Sequence, residues 1–593
     1  MDIKSIHFYP ERLNREKKHT PISKGSTKTI HYHLVDFLAD IKYYSQLDKT
    51  KIAKIFDKAT RIDKKYFSFS NNNLLGEYTC SLLISINQAL KYYGSSNDDK
   101  FCAYIRTKVF KSNYMSILSE ECYDFHKEVN YIDFYQNDYD RIVSSSAFRR
   151  LQDKAQVFSL ESFDYVRTRL THSNEVSSTS EIIANKILYN YFFANYYDAS
   201  IMRRMSEFVN ICKCSSLLHD IGNPPFGHYG ESIIRNYFKD LFDGKLSLQI
   251  SEHVSKRIGT DKRNVCDIIT NQQMRNDFTY FDGNAQAFRI ITKLQPYRNK
   301  ISLNLTASVL RSIIKYPCNS VNQIETGKFG YFYSEEDIIN FLRKKANYND
   351  GKMYLPALIM EVSDDISYNI SDFEDSIKKG LISYEDLINA DISGENACVK
   401  KFLKTFDKYY QENKKDFKNP FEVTLSSLIK QLKLKLISEI SYILFKEQNI
   451  LSYLDRKNNN KHLFKDAPSY SICKFIKDKL IKPKVYVSKL ISECELEADT
   501  ILTYLLDEFT KAVLYVDFES DSTSSASCNE NVEKYKKIIN LISSHIIKSY
   551  IDVQAKLSTP EEKLYYRLKI VVDYISGMTD SFAKYTFCKL TGK

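Results

Sequence analysis

The chain has 593 residues, 43% of them hydrophobic and 27% charged, with a formal net charge of +11. That composition is ordinary for a globular protein and leaves room for two to four domain-sized units at ~150 residues each. No run of ~18 apolar residues could span a bilayer, and the twelve cysteines lack a repeated CxxC pairing, which excludes a zinc ribbon or disulfide framework. The first residues, MDIKSIHFYPERLNREKKH, carry no apolar signal core, so a cytoplasmic location is expected. The positive charge suits a polyanionic partner, triphosphate and nucleic acid equally.

Helical periodicity dominates, and 16 glycines and 11 prolines leave long stretches unbroken, so the expected class is all-α. The chain divides into an N-terminal segment (1–137), a central unit (138–390) and a C-terminal helical region (391–593). Polar breaks at SFSNNN (68–73), SSNDDK (95–100), RKNNNKH (456–462) and SDSTSSASCNEN (520–531) are too poor in apolar residues to be core and are expected as surface loops. In chain order, the central unit presents THS with His172. An apolar helical run follows in which Cys212 and Cys214 are expected as buried thiols. Next comes LLHDIGNPPFGHYGE, with His219, Asp220, His228 and Glu231. Imidazole nitrogens and carboxylate oxygens suit a divalent ion at an open catalytic site. Adjacent His219 and Asp220 can both face one ion only if their helix ends there, and Gly-Asn-Pro-Pro supplies the break. A single histidine would more often be structural; three in short motifs beside helix breakers point to a site.

Pro356 to Lys379 reads as a helix, with proline at its start and Gly380 beyond its end. On a helical wheel Ile359, Val362, Ile366, Ile370, Phe373 and Ile377 form one apolar arc, and Asp364, Tyr368 and Asp372 lie opposite at i, i+4 and i+8. Such a polar stripe alone would be a solvated face; the neighbouring histidine motifs make it part of the site.

With these motifs, the sequence resembles the HD-domain dNTP triphosphohydrolases, and among them the bacterial deoxyguanosinetriphosphate triphosphohydrolases. The likeness runs through DRIVSSSAFRRLQDKAQVF (140–158), RTRLTHSNEV (167–176), HDIGNPPFGHYGE (219–231), FDGNAQ (281–286) and MEVSDDISYNISDFED (360–375), while RLNRE (12–16) and DYISGMTD (573–580) resemble that branch in particular. Residues 17–137, between RLNRE and the core, are longer than the branch's usual link, and 390–570 match it loosely. The resemblance implies an HD helical core and a Mg²⁺ or Mn²⁺ ion held by His172, His219, Asp220 and Asp364. It implies His228 and Glu231 as the proton-transfer pair, and Arg169 and Lys315 as triphosphate contacts, with Arg167 and Tyr316 as lesser candidates. It assigns Gln156 and Asp372 to the 3′-hydroxyl and Tyr368 to the sugar face; Asn284 either reaches the substrate or caps a turn. The implied reaction is dGTP plus water to deoxyguanosine plus inorganic triphosphate, by a homo-oligomer, expected as a hexamer, that also takes single-stranded DNA. Two other functions fit the sequence: a broad dNTPase activated by a nucleotide, and a nucleic-acid-binding or phage-sensing protein that depletes dNTPs.

Overall fold

The structure, a computed structural model, describes residues 134–160, 165–188, 199–297, 300–323, 327–446, 450–458, 461–518 and 530–592. RLNRE, the breaks at 68–73 and 95–100, and residues 520–529 lie outside the described residues. Within them the fold is all-α, as expected. The named strands, Pro296–Tyr297 and Lys300–Ile301, form a two-residue antiparallel pair with Pro296 opposite Ile301. Ten helices carry the argument: α1 Phe134–Ser144, α2 Arg169–Leu188, α3 Ala199–Leu218, α4 Gly227–Phe242, α5 Gly283–Arg289, α6 Leu355–Lys378, α7 Pro420–Lys446, α8 Lys489–Tyr515, α9 Pro560–Ser576 and α10 Asp580–Thr591.

The α2/α3 pair is built from small side chains. Ser173, Ser177 and Ser180 on α2 and Cys212, Ser215 and Ser216 on α3 are all buried. Several hydroxyls here return to main-chain carbonyls, as Ser180 Oγ does to Ser177 O at 2.9 Å and Thr179 Oγ1 to Glu175 O at 2.8 Å, while Ser173 Oγ and Ser216 Oγ are buried without a hydrogen-bond partner. A hydroxyl satisfied by its own helix leaves no buried polar group unpaired while the backbones draw close. Cys212 and Cys214 are the buried thiols expected, and burial pushes the Cys212 thiol up.

Helix α6 begins one residue earlier than read from sequence, with Pro356 in its first turn and Gly380 left-handed (φ +70°) just after its end. All six members of its apolar arc are buried, and it packs on α2, α3 and α7. Three apolar clusters fill the interior. One joins Phe158, Val362 and Ile366 to Leu436 and Leu480; a second joins Ile234 and Phe238 of α4 to Phe509 of α8 and Leu568 of α9; a third surrounds Ile142, Leu217 and Leu310. The first two run across residue 390, so the central unit and the C-terminal region share their cores.

Two buried ion pairs cross the same line. Arg289 of α5 is held by Asp573 of α9 at 2.6 Å and by Glu335 at 2.8 Å, and Gln286 Nε2 donates to Asp573 at 3.0 Å. Arg456 corrects the expectation for residues 456–462. Lys457 and Asn458 are exposed, but Arg456 is buried because its guanidinium pairs with Glu361 inside α6. An interior carboxylate without a cation is costly, so the loop sends one arginine inward. Among the described residues no helix is long and apolar enough to cross a membrane.

Ile366 is fully buried at the centre of α6. Ile366→Ala should lower the unfolding free energy by about 2–5 kcal/mol, read as a lower urea midpoint; a change under ~0.5 kcal/mol, the range of surface substitutions, would contradict the packing described.

Candidate metal and phosphate site

Helix α3 ends at Leu218, and residues 219–226 form the turn that the Gly-Asn-Pro-Pro run dictates. His219 therefore leaves the helix axis and meets His172, from the first turn of α2, and Asp364, from the middle of α6. One ligand atom from each of these three lies within 4.8 Å of the others. His172 Nε2 is 3.2 Å from Asp364 Oδ1, and His219 Nε2 is 3.5 Å from the same oxygen. His219 Nδ1 lies 2.7 Å from the Ser216 carbonyl, which fixes the proton there and leaves Nε2 buried without a hydrogen-bond partner. Burial opposes a charge on this ring, yet Asp220 and Asp364 outweigh it and push His219 up to about 9. A spot that demands positive charge, faced by two imidazoles and a carboxylate oxygen, fits a divalent ion.

Asp220, expected as a fourth ligand, stands beside this group. Its Oδ2 accepts from Arg169 at 2.7 Å and its Oδ1 from Asn223 at 2.5 Å, with His219 Nε2 3.6 Å from Oδ1. Although burial alone would raise it, Arg169, then His219 and His172, hold Asp220 below the usual carboxylate range. Arg169 is itself buried, with its Nε unpartnered. The guanidinium leaves no room at Gly227, where a Cβ would sit 2.6 Å from Arg169 Nη2 and where φ is +58°. Glycine is the residue that tolerates both conditions. Lys315 approaches from the other side, its Nζ 3.6 Å from Asp364 Oδ2. Burial works against its charge, but Tyr316, Asp364, Glu361 and Asp365 hold the ammonium well above the ordinary lysine value. Tyr316 is half-buried with its ring 5.9 Å from Lys315 Nζ. Arg167 is committed elsewhere, to Glu175, Glu374 and Asp375.

His228 opens α4 with its side chain exposed, and its Nδ1 is 3.1 Å from Glu231 Oε2. Glu231 is buried; it also accepts from Gly283 N at 2.8 Å and Arg235 Nη2 at 3.1 Å. Burial would raise it, but the hydrogen bond and charge of His228, with Lys328 and Arg235, bring Glu231 down to about 2. A permanently ionised carboxylate on Nδ1 orients the ring and leaves Nε2 as the nitrogen able to exchange a proton. FDGNAQ supplies the floor: Asp282 caps α5, and a Cβ at Gly222 would lie 2.0 Å from Gly283 O, so the two chains touch backbone to backbone. Asn284 sits in this cap, its main-chain and side-chain nitrogens both 2.7 Å from Asp282 Oδ1.

Further along α6, Tyr368 and Asp372 meet a residue that sequence reasoning missed. Tyr486 Oη lies 2.6 Å from Tyr368 Oη and donates to Asp372 Oδ2 at 3.2 Å, while Lys477 Nζ stands 5.0 Å from the Tyr368 ring centre. Tyr486 is 118 residues from Tyr368, and no local pattern could have connected them. Gln156 Oε1 and Asp372 Oδ1 are both buried without a hydrogen-bond partner, the condition of acceptors that await a donor.

Two buried histidines and a half-buried aspartate meet at a broken helix end with cations beside them, and residues 169–298, which hold both histidines, match the HD domain family. The chain is 33% identical over 468 residues to the deoxyguanosinetriphosphate triphosphohydrolase-like proteins of Listeria monocytogenes and Listeria innocua, covering 77% of this chain and 94% of each of theirs. It is 28% identical over 485 residues to the deoxyguanosinetriphosphate triphosphohydrolase of Yersinia enterocolitica, 76% of this chain and 92% of that one. The chain belongs to this deoxyguanosinetriphosphate triphosphohydrolase family of HD-domain hydrolases.

Burial raises Asp372 to about 7, against the hydrogen bonds of Tyr486 and Tyr368. Between pH ~4, the unfolded value, and about 7 the folded protein keeps a proton that the unfolded chain releases, so stability is lost as pH rises through that window. Asp372→Asn should therefore be more stable than the parent at pH 8, by on the order of 1–3 kcal/mol, and close to it at pH 4. Thermal melts at the two pH values give the comparison; equal melting temperatures at pH 8 would refute it.

Proposed function

We propose that the protein is a metal-dependent dNTP triphosphohydrolase that prefers dGTP and releases deoxyguanosine and inorganic triphosphate. The observation that carries this reading is the group of buried His172 and His219 with half-buried Asp364, with Arg169 beside it on Asp220, Lys315 on Asp364, and exposed His228 held by Glu231. The names of the relatives support the substrate class. His172, His219 and Asp364 would hold the ion, with Asp220 completing the set. What Mg²⁺ or Mn²⁺ supplies there when bound is Lewis acidity at the α-phosphate and a more acidic attacking water. Arg169 and Lys315 offset the charge of the triphosphate, and Tyr316 lines the same side. His228, held through Nδ1 by Glu231, passes a proton from Nε2 to the departing 5′-oxygen.

At the other end the sugar lies on Tyr368. A 3′-hydroxyl carries one donor proton, which satisfies Asp372 Oδ1, and its oxygen can accept from the Gln156 amide. A 2′-hydroxyl would meet the tyrosine ring and lose its water. Asn284 sits in the α5 cap beside Gly283, whose amide is bound to Glu231, and we assign it to supporting that carboxylate rather than to substrate. The same reading makes the protein a cytoplasmic homo-oligomer, a hexamer, with single-stranded DNA as a further ligand.

Incubation of the pure protein with each dNTP and NTP plus Mg²⁺ or Mn²⁺, with products resolved by ion exchange, should give triphosphate in one step and no dNDP; orthophosphate with dGDP first would overturn the reading. GTP should react roughly tenfold to a hundredfold more slowly than dGTP. His219→Ala and Asp220→Ala should abolish both turnover and bound metal while circular dichroism keeps its helical signal. Light scattering at micromolar concentration tests the assembly, and a monomer would remove the hexamer.

A further inference from the structure

The segment Asp573–Asp580 lies at the far end of the chain, yet it is pressed against the elements that carry the site. Asp580 is the first residue of α10 and is buried. Its Oδ2 accepts from Ala155 N at 3.0 Å, and its Oδ1 accepts from Phe226 N at 2.9 Å. Ala155 precedes Gln156 and is bridged to Thr168, just before Arg169. Phe226 stands two residues before His228 and holds a left-handed backbone (φ +62°), followed by left-handed Gly227. A phenylalanine in that region is strained and keeps its place only where its surroundings demand it. A carboxylate is the side chain able to accept two main-chain N–H groups from opposite directions, one on each oxygen.

The neighbours repeat the pattern. Lys154 Nζ, buried, donates to Asn223 O at 2.6 Å and to Ser576 O at 2.8 Å, which ties the same two segments together through a second group. Arg150 donates to Gly577 O at 3.2 Å, and Ser581 Oγ to Asp153 at 2.8 Å. These bonds fasten residues 150–155 to residues 576–581 and to Asn223, and none of them engages a group that would touch substrate.

We infer that Asp580 is a positioning residue for the hydrolytic site: its carboxylate clamps the segment of Gln156 to the turn of His228 and so sets the distance between the sugar-binding and proton-transferring ends. This rests on the triphosphohydrolase reading for its catalytic consequence, and on the hydrogen bonds alone for its geometric one. The clamp gives DYISGMTD a structural task beside the HD motifs. Its aspartates work on the backbone and on Arg289.

Asp580→Asn tests the clamp. An amide offers one acceptor oxygen, and its NH₂ faces a main-chain N–H, so one of the two segments is released. Amide hydrogen exchange should rise in the released segment, read in peptides covering 154–156 and 225–228, and stay unchanged in α6 and α7. With whichever dNTP the parent turns over, kcat should fall roughly tenfold to a hundredfold, the scale of a misplacement of about 1 Å. Lys584→Ala, on the exposed side of the same helix, should stay within twofold of the parent in both measurements. Should Asp580→Asn fail to fold, Asp580→Glu, which keeps the charge but displaces both acceptors, is read in the same way. Exchange at the two segments unchanged from the parent, or a kcat within twofold of it, would overturn the clamp. If the parent turns over no dNTP, the functional reading falls instead, and the exchange measurement still decides the clamp.

Discussion

Negative charge buried out of water is the condition to which the rest of this structure answers. Asp220, Asp364 and Glu231 sit within one small region where each needs a positive partner close by. Arg169 is drawn to Asp220, Lys315 to Asp364 and Arg235 to Glu231, and the histidines between them are held where a cation would complete the balance. Helix α3 must stop at Leu218, α2 must bring Arg169 and His172 inward from its first turn, and α6 must turn its one polar stripe to the same point. The small residues of α2 and α3 serve that end, because a close helix pair is what brings His172 and His219 rings to a 5.4 Å separation.

The same rule operates away from the chemistry. Arg289 pairs with Asp573 and Arg456 with Glu361, and Lys154, which burial pushes down to about 7, donates to two carbonyls, so each of these interior groups finds a partner far along the chain. Removing the C-terminal helices from such an arrangement would expose apolar surface and also strand charges in the interior. The C-terminal region is thus as much a part of the site as the HD motifs, although it contributes few groups that could touch a nucleotide.

What was legible in the sequence follows from how far each signal reaches. Helix α6 was readable because its start, its end and its two faces are all encoded within one segment: Pro356, Gly380, the isoleucine arc and the Asp364–Tyr368–Asp372 stripe. The break after Leu218 was readable for the same reason, since Gly222, Pro224 and Pro225 follow at once. The four expected metal ligands came from motif likeness, and the structure groups three of them closely while Asp220 leans on Arg169. Tyr486, Lys154 and Asp580 were not readable. Their partners lie 118, 422 and 425 residues away, and a tyrosine, a lysine and an aspartate carry no periodicity that names a distant partner. Asn284 was open to two readings because an asparagine after Asp-Gly serves a cap and a ligand equally well. The loop at 456–462 misled because its polarity is real, and Glu361, buried on α6 and 95 residues away in sequence, calls Arg456 inward.

The clamp also imposes an order in time. Phe226 and Asp580 are 354 residues apart, and at translation rates of 5–20 residues per second about 20–70 s separate their synthesis. By the later part of that interval a nascent chain carries the motifs up to Asp372 but lacks the carboxylate that seats the strained turn. The turn is tied to the segment of Gln156 only once Asp580 has been made, so a chain stopped before that residue lacks the carboxylate that joins the two.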